Sequence, residues 1–142
     1  MTSVTRLGYL GLSVSDIAKW EKFATEIRGL SIAEQADDGS LYLRMDEYHH
    51  RFLLHPTGND DLAYIGWEVA DEHAFHALAE QLKTADVEVT PSTREDLATR
   101  RVAGMLRFQD PSGIQSEIFY GPLVNFEKPF QSPRPISGFK TD

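Results

Sequence analysis

Apolar and polar positions fall into the same pattern twice along the chain. Residues Gly8-Tyr9-Leu10-Gly11-Leu12-Ser13-Val14-Ser15-Asp16 and Ala63-Tyr64-Ile65-Gly66-Trp67-Glu68-Val69-Ala70-Asp71 are rich in β-branched and aromatic residues and predict strands. Tyr, Gly, Val and Asp recur at 9/64, 11/66, 14/69 and 16/71, a constant offset of 55 residues (64 − 9). Each segment ends on an aspartate, a good N-cap for a helix. A helical spacing follows in both places. Ile17, Trp20, Ala24 and Ile27 share one face, and Phe75, Leu78, Ala79 and Leu82 share another. Gly29 is placed to stop the first helix.

Strands are expected next. In the first half, Gly39 opens the run Leu41–Met45, and a polar turn at Asp46-Glu47 leads to Arg51–Leu54, punctuated by Pro56 and Gly58. In the second half, Val87–Val89 reads as a short strand before Pro91, and Glu95–Arg100 reads as helical. Gly104–Phe108 and Gln115–Tyr120 flank the turn Asp110-Pro111-Ser112-Gly113. Each half therefore predicts strand, helix, then three strands. Two such βαβββ modules, about 1–58 and 59–121, make an α+β domain (1–121) in which each unit buries its apolar face against the other. Pro122, Pro129, Pro133 and Pro135 interrupt regular structure in 122–142. With Phe126, Phe130 and Phe139 this stretch reads as a connector toward a second domain.

Composition narrows the function. The 142 residues carry a formal charge of −8, with 41% hydrophobic and 25% charged residues. That is the balance of an ordinary globular domain. Its acidity argues against a nucleic-acid partner. Arg100-Arg101 is the one basic pair, and it reads as a solvated surface feature. No apolar run approaches the roughly 18 residues of a membrane helix, and no signal-peptide stretch opens the chain. With no cysteine, there is no disulfide framework and no thiolate chemistry, so a cytoplasmic location is expected.

Several stretches carry a family likeness: Leu7-Gly8-Tyr9-Leu10, Leu41–Asp46, Gly66-Trp67-Glu68, Arg100-Arg101-Val102 leading to Met105–Phe108, and Asp110-Pro111-Ser112-Gly113 with Glu117 and Phe119-Tyr120-Gly121. Ser132-Pro133 and Gly138-Phe139 add an interdomain-connector likeness. The chain resembles the vicinal-oxygen-chelate superfamily of glyoxalases, bleomycin-resistance proteins and type I extradiol dioxygenases. Within it, these stretches look specifically like the N-terminal domain of the two-domain extradiol enzymes that open dihydroxybiphenyl and catecholic steroid rings. The resemblance implies a second domain that holds Fe(II) on two histidines and a glutamate, with open positions for a catecholate and O2. It also implies that this half is non-catalytic and works with a C-terminal catalytic domain; the face where that domain would pack is expected to drive homo-oligomerisation.

In this superfamily, metal ligands stand on the first and last strands of a module. Here the matching positions are Tyr9, Phe52, Tyr64 and Glu117, of which only Glu117 suits a hard or borderline metal. We therefore expect no catalytic, cofactor-binding or metal-binding residue in this chain, and we read Tyr9, Tyr64 and Glu117 as vestigial cleft positions. Glu117 is expected to hydrogen-bond one of the tyrosines. The other chemistry-bearing residues have plainer readings. His49, His50 and His55 read as solvated turn residues. His73, His76 and Glu80 have ligand-like spacing but are placed on a solvated helix face. Glu68 and Glu117 could share acid–base work only if they meet. Trp20 and Trp67 read as core or interface aromatics. A stand-alone small-molecule binding module of bleomycin-resistance type is the main rival, and a metal-dependent glyoxalase-type or epimerase-type enzyme the second.

Overall fold

The computed structural model describes residues 2–135, so the expectations for Gly138 and Phe139 lie outside the described residues. In chain order the elements are β1 (Arg6–Ser13), α1 (Ile17–Lys22), a π-helical turn (Phe23–Ile27), β2 (Ser31–Gln35), β3 (Leu41–Arg44) and β4 (Phe52–His55). Then come β5 (Asp61–Glu68), α2 (Glu72–Thr84), β6 (Thr90–Pro91), α3 (Arg94–Arg100), β7 (Val102–Gln109) and β8 (Gln115–Pro122). Both halves thus run strand, helix, strands. They differ in two places: the π-helical turn after α1 has no counterpart after α2, and α3 stands between β6 and β7, where the first half has only the turn between β2 and β3.

The chain forms two compact units, and β1 is divided between them. One comprises Met1–Tyr9 and Ala63–Leu123, the other Leu10–Leu62 and Val124–Asp142.

In the unit built from residues 10–62 and 124–142, the strand order is β2-β3-β4-β1. β1 runs parallel to β4, with Leu10 opposite Phe52 and Leu12 opposite Leu54. The crossover carries α1. Asp16 caps that helix by accepting from the Lys19 backbone N–H at 3.0 Å, as an N-terminal aspartate should. Val14, Ala24, Leu41, Leu43 and Leu54 form the core, with Trp20, Leu30 and Phe52 packed against it. Ile27 departs from the expected face and is 57% exposed. The π turn is the reason. Arg28 N–H bonds to the Phe23 carbonyl, five residues back, which advances the chain past the 3.6-residue phase. Gly29, at φ +72°, then ends the helix, and Leu30 fills the core position instead.

Residues 124–132 lie on this unit. Arg44, buried, donates to the Lys128 carbonyl at 2.8 Å and to the Asp46 carbonyl. The Asn125 N–H reaches the Glu47 carbonyl at 2.7 Å, and the Ser132 hydroxyl reaches the Gly29 carbonyl at 2.8 Å. Phe126 is not part of this docking and is 79% exposed.

In the unit built from residues 1–9 and 63–123, the order is β1-β5-β8-β7-β6. β5 runs parallel to β8, with Gly66 opposite Glu117. β8 alternates strictly. Ile118 and Tyr120 pack with Phe75, Leu78 and Leu82 of α2, so Gln115, Glu117 and Phe119 occupy the opposite face. The short strand forms at Thr90–Pro91 rather than at 87–89, pairing Thr90 with Arg107.

Candidate functional site

Glu117 is 0% exposed, in the middle of β8. A carboxylate there needs every lone pair satisfied. The fold supplies four donors, two to each oxygen. Oε1 accepts from the Tyr9 hydroxyl at 2.7 Å and from Arg100 Nε at 2.8 Å. Oε2 accepts from Arg100 Nη2 at 2.8 Å and from Gln115 Nε2 at 2.8 Å. Arg100 therefore grips the carboxylate as a bidentate fork, the strongest form of this pair. Its guanidinium lies over the Tyr64 ring, 3.8 Å from the centroid, within cation–π range. The Tyr9 ring stacks on Phe119 at 4.7 Å and meets Tyr64 edge-on at 6.0 Å.

Each member is positioned by its own element. Tyr9 comes from β1 and rests directly on Gly66 of β5, where a Cβ would collide with the tyrosine ring. The repeated glycine at 66 is thus a steric requirement. α3 delivers Arg100. Its N-terminus is a capping box in which the Thr93 hydroxyl accepts from the Asp96 N–H and the Asp96 carboxylate accepts from the Thr93 N–H. Arg101 ends it in the left-handed conformation at φ +56°. Asp96, Leu97 and Arg100 share one face. Asp96 pairs with Arg107 at 2.5 Å, Leu97 packs on the cluster of Tyr9, Tyr64, Met105 and Phe119, and Arg100 meets Glu117.

The electrostatics follow from this packing. Burial raises the Tyr9 phenol well above its ordinary value, and the neighbouring Glu117 charge and hydrogen bond push it further. It is held as a neutral donor. Burial opposes the Arg100 charge, but the Glu117 hydrogen bond outweighs it, so the guanidinium is held charged more firmly than usual. Burial also raises the Asp96 carboxyl. The Thr93 backbone and the Arg107 guanidinium prevail and bring it down to about 2.

The structure brings Tyr9, Tyr64 and Glu117 together and puts Tyr9 on Glu117. Phe52 packs against the core of the other unit. Arg100 corrects the reading of the basic pair: it is 8% exposed, while its neighbour Arg101 is partly accessible. The signal available in the sequence was indirect. A carboxylate inside an apolar strand demands a cation, and an arginine in the helix preceding β7 could supply it. The histidine pair is corrected as well. His50 is buried, His49 Nδ1 lies 3.0 Å from His50 Nδ1, and His49 Nε2 lies 3.2 Å from Glu34. His73, His76 and Glu80 are exposed, as expected; His76 pairs with Glu72 and Glu80 with Lys83. Glu68 faces Arg6 at 3.6 Å. An open groove of about 510 Å³ lies farther out in the same unit, lined by Glu88, Arg107, Phe108, Asp110 and Gln115 among others.

A divalent cation does not fit these residues. Glu117 has both oxygens occupied, Tyr9 keeps its proton, and the Arg100 charge stands beside both. Among the described residues, no group of three or more His, Asp or Glu side chains is arranged to hold a metal.

The α+β fold, with its repeated order of strand, helix and strands, is that of the vicinal-oxygen-chelate ring-cleaving dioxygenases, and solved enzymes of that class superpose on the chain. Within that class the chain is similar to the first domain of the dihydroxybiphenyl dioxygenases. The family described as "Dihydroxybiphenyl dioxygenase BphC D1" matches residues 7–57. Over 138 residues the chain is 44% identical to biphenyl-2,3-diol 1,2-dioxygenase of Sphingomonas paucimobilis, covering 97% of this chain and 46% of that protein. It is 42% identical to 1,2-dihydroxynaphthalene dioxygenase of Sphingobium xenophagum, again covering 97% of this chain and 46% of that protein. A crystal structure of catechol 2,3-dioxygenase, 47% identical, matches with a TM-score of 0.94 over 98% of this chain and 46% of that one. The chain thus spans about half the length of the curated relatives it matches.

Proposed function

We propose that this chain is the N-terminal, non-catalytic half of an Fe(II)-dependent extradiol dioxygenase that opens catechols of the 2,3-dihydroxybiphenyl kind. The relatives' names and their doubled length support the activity and the presence of a second, iron-bearing domain. The observation that carries the division of labour is Glu117. The cleft's buried carboxylate is fully engaged by Arg100, Tyr9 and Gln115 and has no lone pair left for iron. In this reading residues 1–121 are the paired-module domain, and 122–142 lead to the catalytic domain. The protein acts in the cytoplasm as a homo-oligomer. The rival stand-alone binding module is disfavoured because Arg100 of α3 already fills the space beside the buried Glu117.

The test is iron stoichiometry and ring cleavage in the intact protein after anaerobic Fe(II) loading. One iron per polypeptide, unchanged in Tyr9→Phe, is expected alongside yellow ring-opened product from a catechol. Two irons per polypeptide, or iron lost with Tyr9→Phe, overturns the assignment of this half as metal-free.

A further inference from the structure

The residues around Glu117 refuse a metal but are not short of a cation. Glu117 presents both oxygens edge-on to Arg100 Nε and Nη2, and Tyr64 presents its ring face to the same guanidinium at 3.8 Å. A carboxylate fork with an aromatic face behind it is a slot for one chemical shape, a planar delocalised cation with paired N–H donors. A spherical ion uses neither the fork nor the ring face in this way. The slot's remaining contacts are also donors to the carboxylate, from Tyr9 and Gln115.

We propose that this unit is built around an internal guanidinium ligand. α3, which has no counterpart in the first half, carries Arg100 onto Glu117 as its permanent partner. Asp96 on Arg107 and Leu97 on the aromatic cluster hold the helix in place on either side of that contact. The inference rests on the reading that this half binds no iron, and it goes further. The site that remains when Arg100 is truncated is specific for guanidinium-type cations, not for divalent metals or ammonium ions.

The experiment uses the intact protein carrying Arg100→Ala, followed by thermal unfolding. N-ethylguanidinium at millimolar concentration is expected to restore about half or more of the lost Tm, saturably, as a ligand of the native state does. Ethylammonium at the same concentration is expected to restore little, and wild type to respond to neither. The double variant Arg100→Ala/Glu117→Gln is expected to lose the rescue. Should Arg100→Ala fail to fold, Arg100→Lys serves instead. It is expected to fold with a lowered Tm, because an ammonium makes a point contact and not a fork.

Equal rescue by the two cations overturns the inference, as does rescue that survives Glu117→Gln or a wild-type Tm in Arg100→Lys. A stoichiometric second divalent ion in wild type would instead overturn the reading on which the inference rests. Absent rescue with one iron per polypeptide overturns the inference alone.

Discussion

Taking a carboxylate out of water costs several kcal/mol unless charge and hydrogen bonds replace its hydration shell. At the scale of single residues, that cost explains why Arg100 and Arg101, adjacent in sequence, have opposite environments. Arg100 answers Glu117 from inside, while Arg101 turns the chain out of α3 and donates to the Ala98 carbonyl. Arg100→Ala leaves Glu117 buried without its counter-charge. It should destabilise the fold by about 3–5 kcal/mol in denaturant unfolding, and Arg100→Met/Glu117→Met should recover much of that loss. A loss below about 1 kcal/mol for the single variant would show that the pair carries no such burden. Gly66→Ala drives a methyl group into the Tyr9 ring. An overpacking loss of about 1–3 kcal/mol is expected from chemical denaturation. Among these residues Glu117 and its tyrosines were expected from the family resemblance, with the repeat aligning Tyr9 and Tyr64. Arg100 was not, because an arginine's burial depends on a partner 17 residues away and the sequence shows only that it stands beside another basic residue.

At the scale of elements, α3 and the first helix show where periodicity is sufficient and where it fails. The helical reading of 95–100 matches α3 to within a residue, since its capping box and length are local. Its docking has an acid limit. Asp96 has its folded-state pKa lowered from 3.8 to about 2. Its contribution is therefore complete above about pH 4 and is lost as pH falls toward 2, when the carboxylate that pairs with Arg107 is protonated. Unfolding followed between pH 5 and 2 should show this loss. Asp96→Asn should be less stable at pH 7 and should lack that component of the acid slope. In the first helix the 3.6-residue spacing places Ile27 inward, and the π turn places it outward. Ile27→Ser should accordingly change stability by no more than about 0.5 kcal/mol, whereas Leu54→Ala, in the core of the same unit, should cost about 2–5 kcal/mol. Comparable losses at the two positions would restore Ile27 to the buried face.

At the scale of the whole molecule, the unit formed by residues 10–62 and 124–142 exposes Phe23, Ile27, Ile32, Met45 and Phe126. Exposed apolar side chains favour association where they adjoin, and the chain spans about half the length of its relatives. The 142-residue chain by itself is expected to sediment as a dimer or larger at high concentration. Ile27→Lys with Phe126→Ser should shift it toward monomer. A strictly monomeric profile of the unaltered chain would remove these residues as an association surface.

The repeat, the strand and helix order and the turn at 110–113 could be read from the sequence, because spacing acts between near neighbours or copies itself through an internal duplication; the gathering of Tyr9, Tyr64 and Glu117 was expected from the family resemblance. Three features were decided by the tertiary structure. The β2 strand forms because Leu41–Arg44 offers it an antiparallel partner, the π turn because Leu30 reaches the core position, and the buried ion pair because α3 lies across β7 and β8. Each depends on groups distant in sequence meeting away from water. There an unsatisfied charge or an unfilled core position costs more than any local preference supplies.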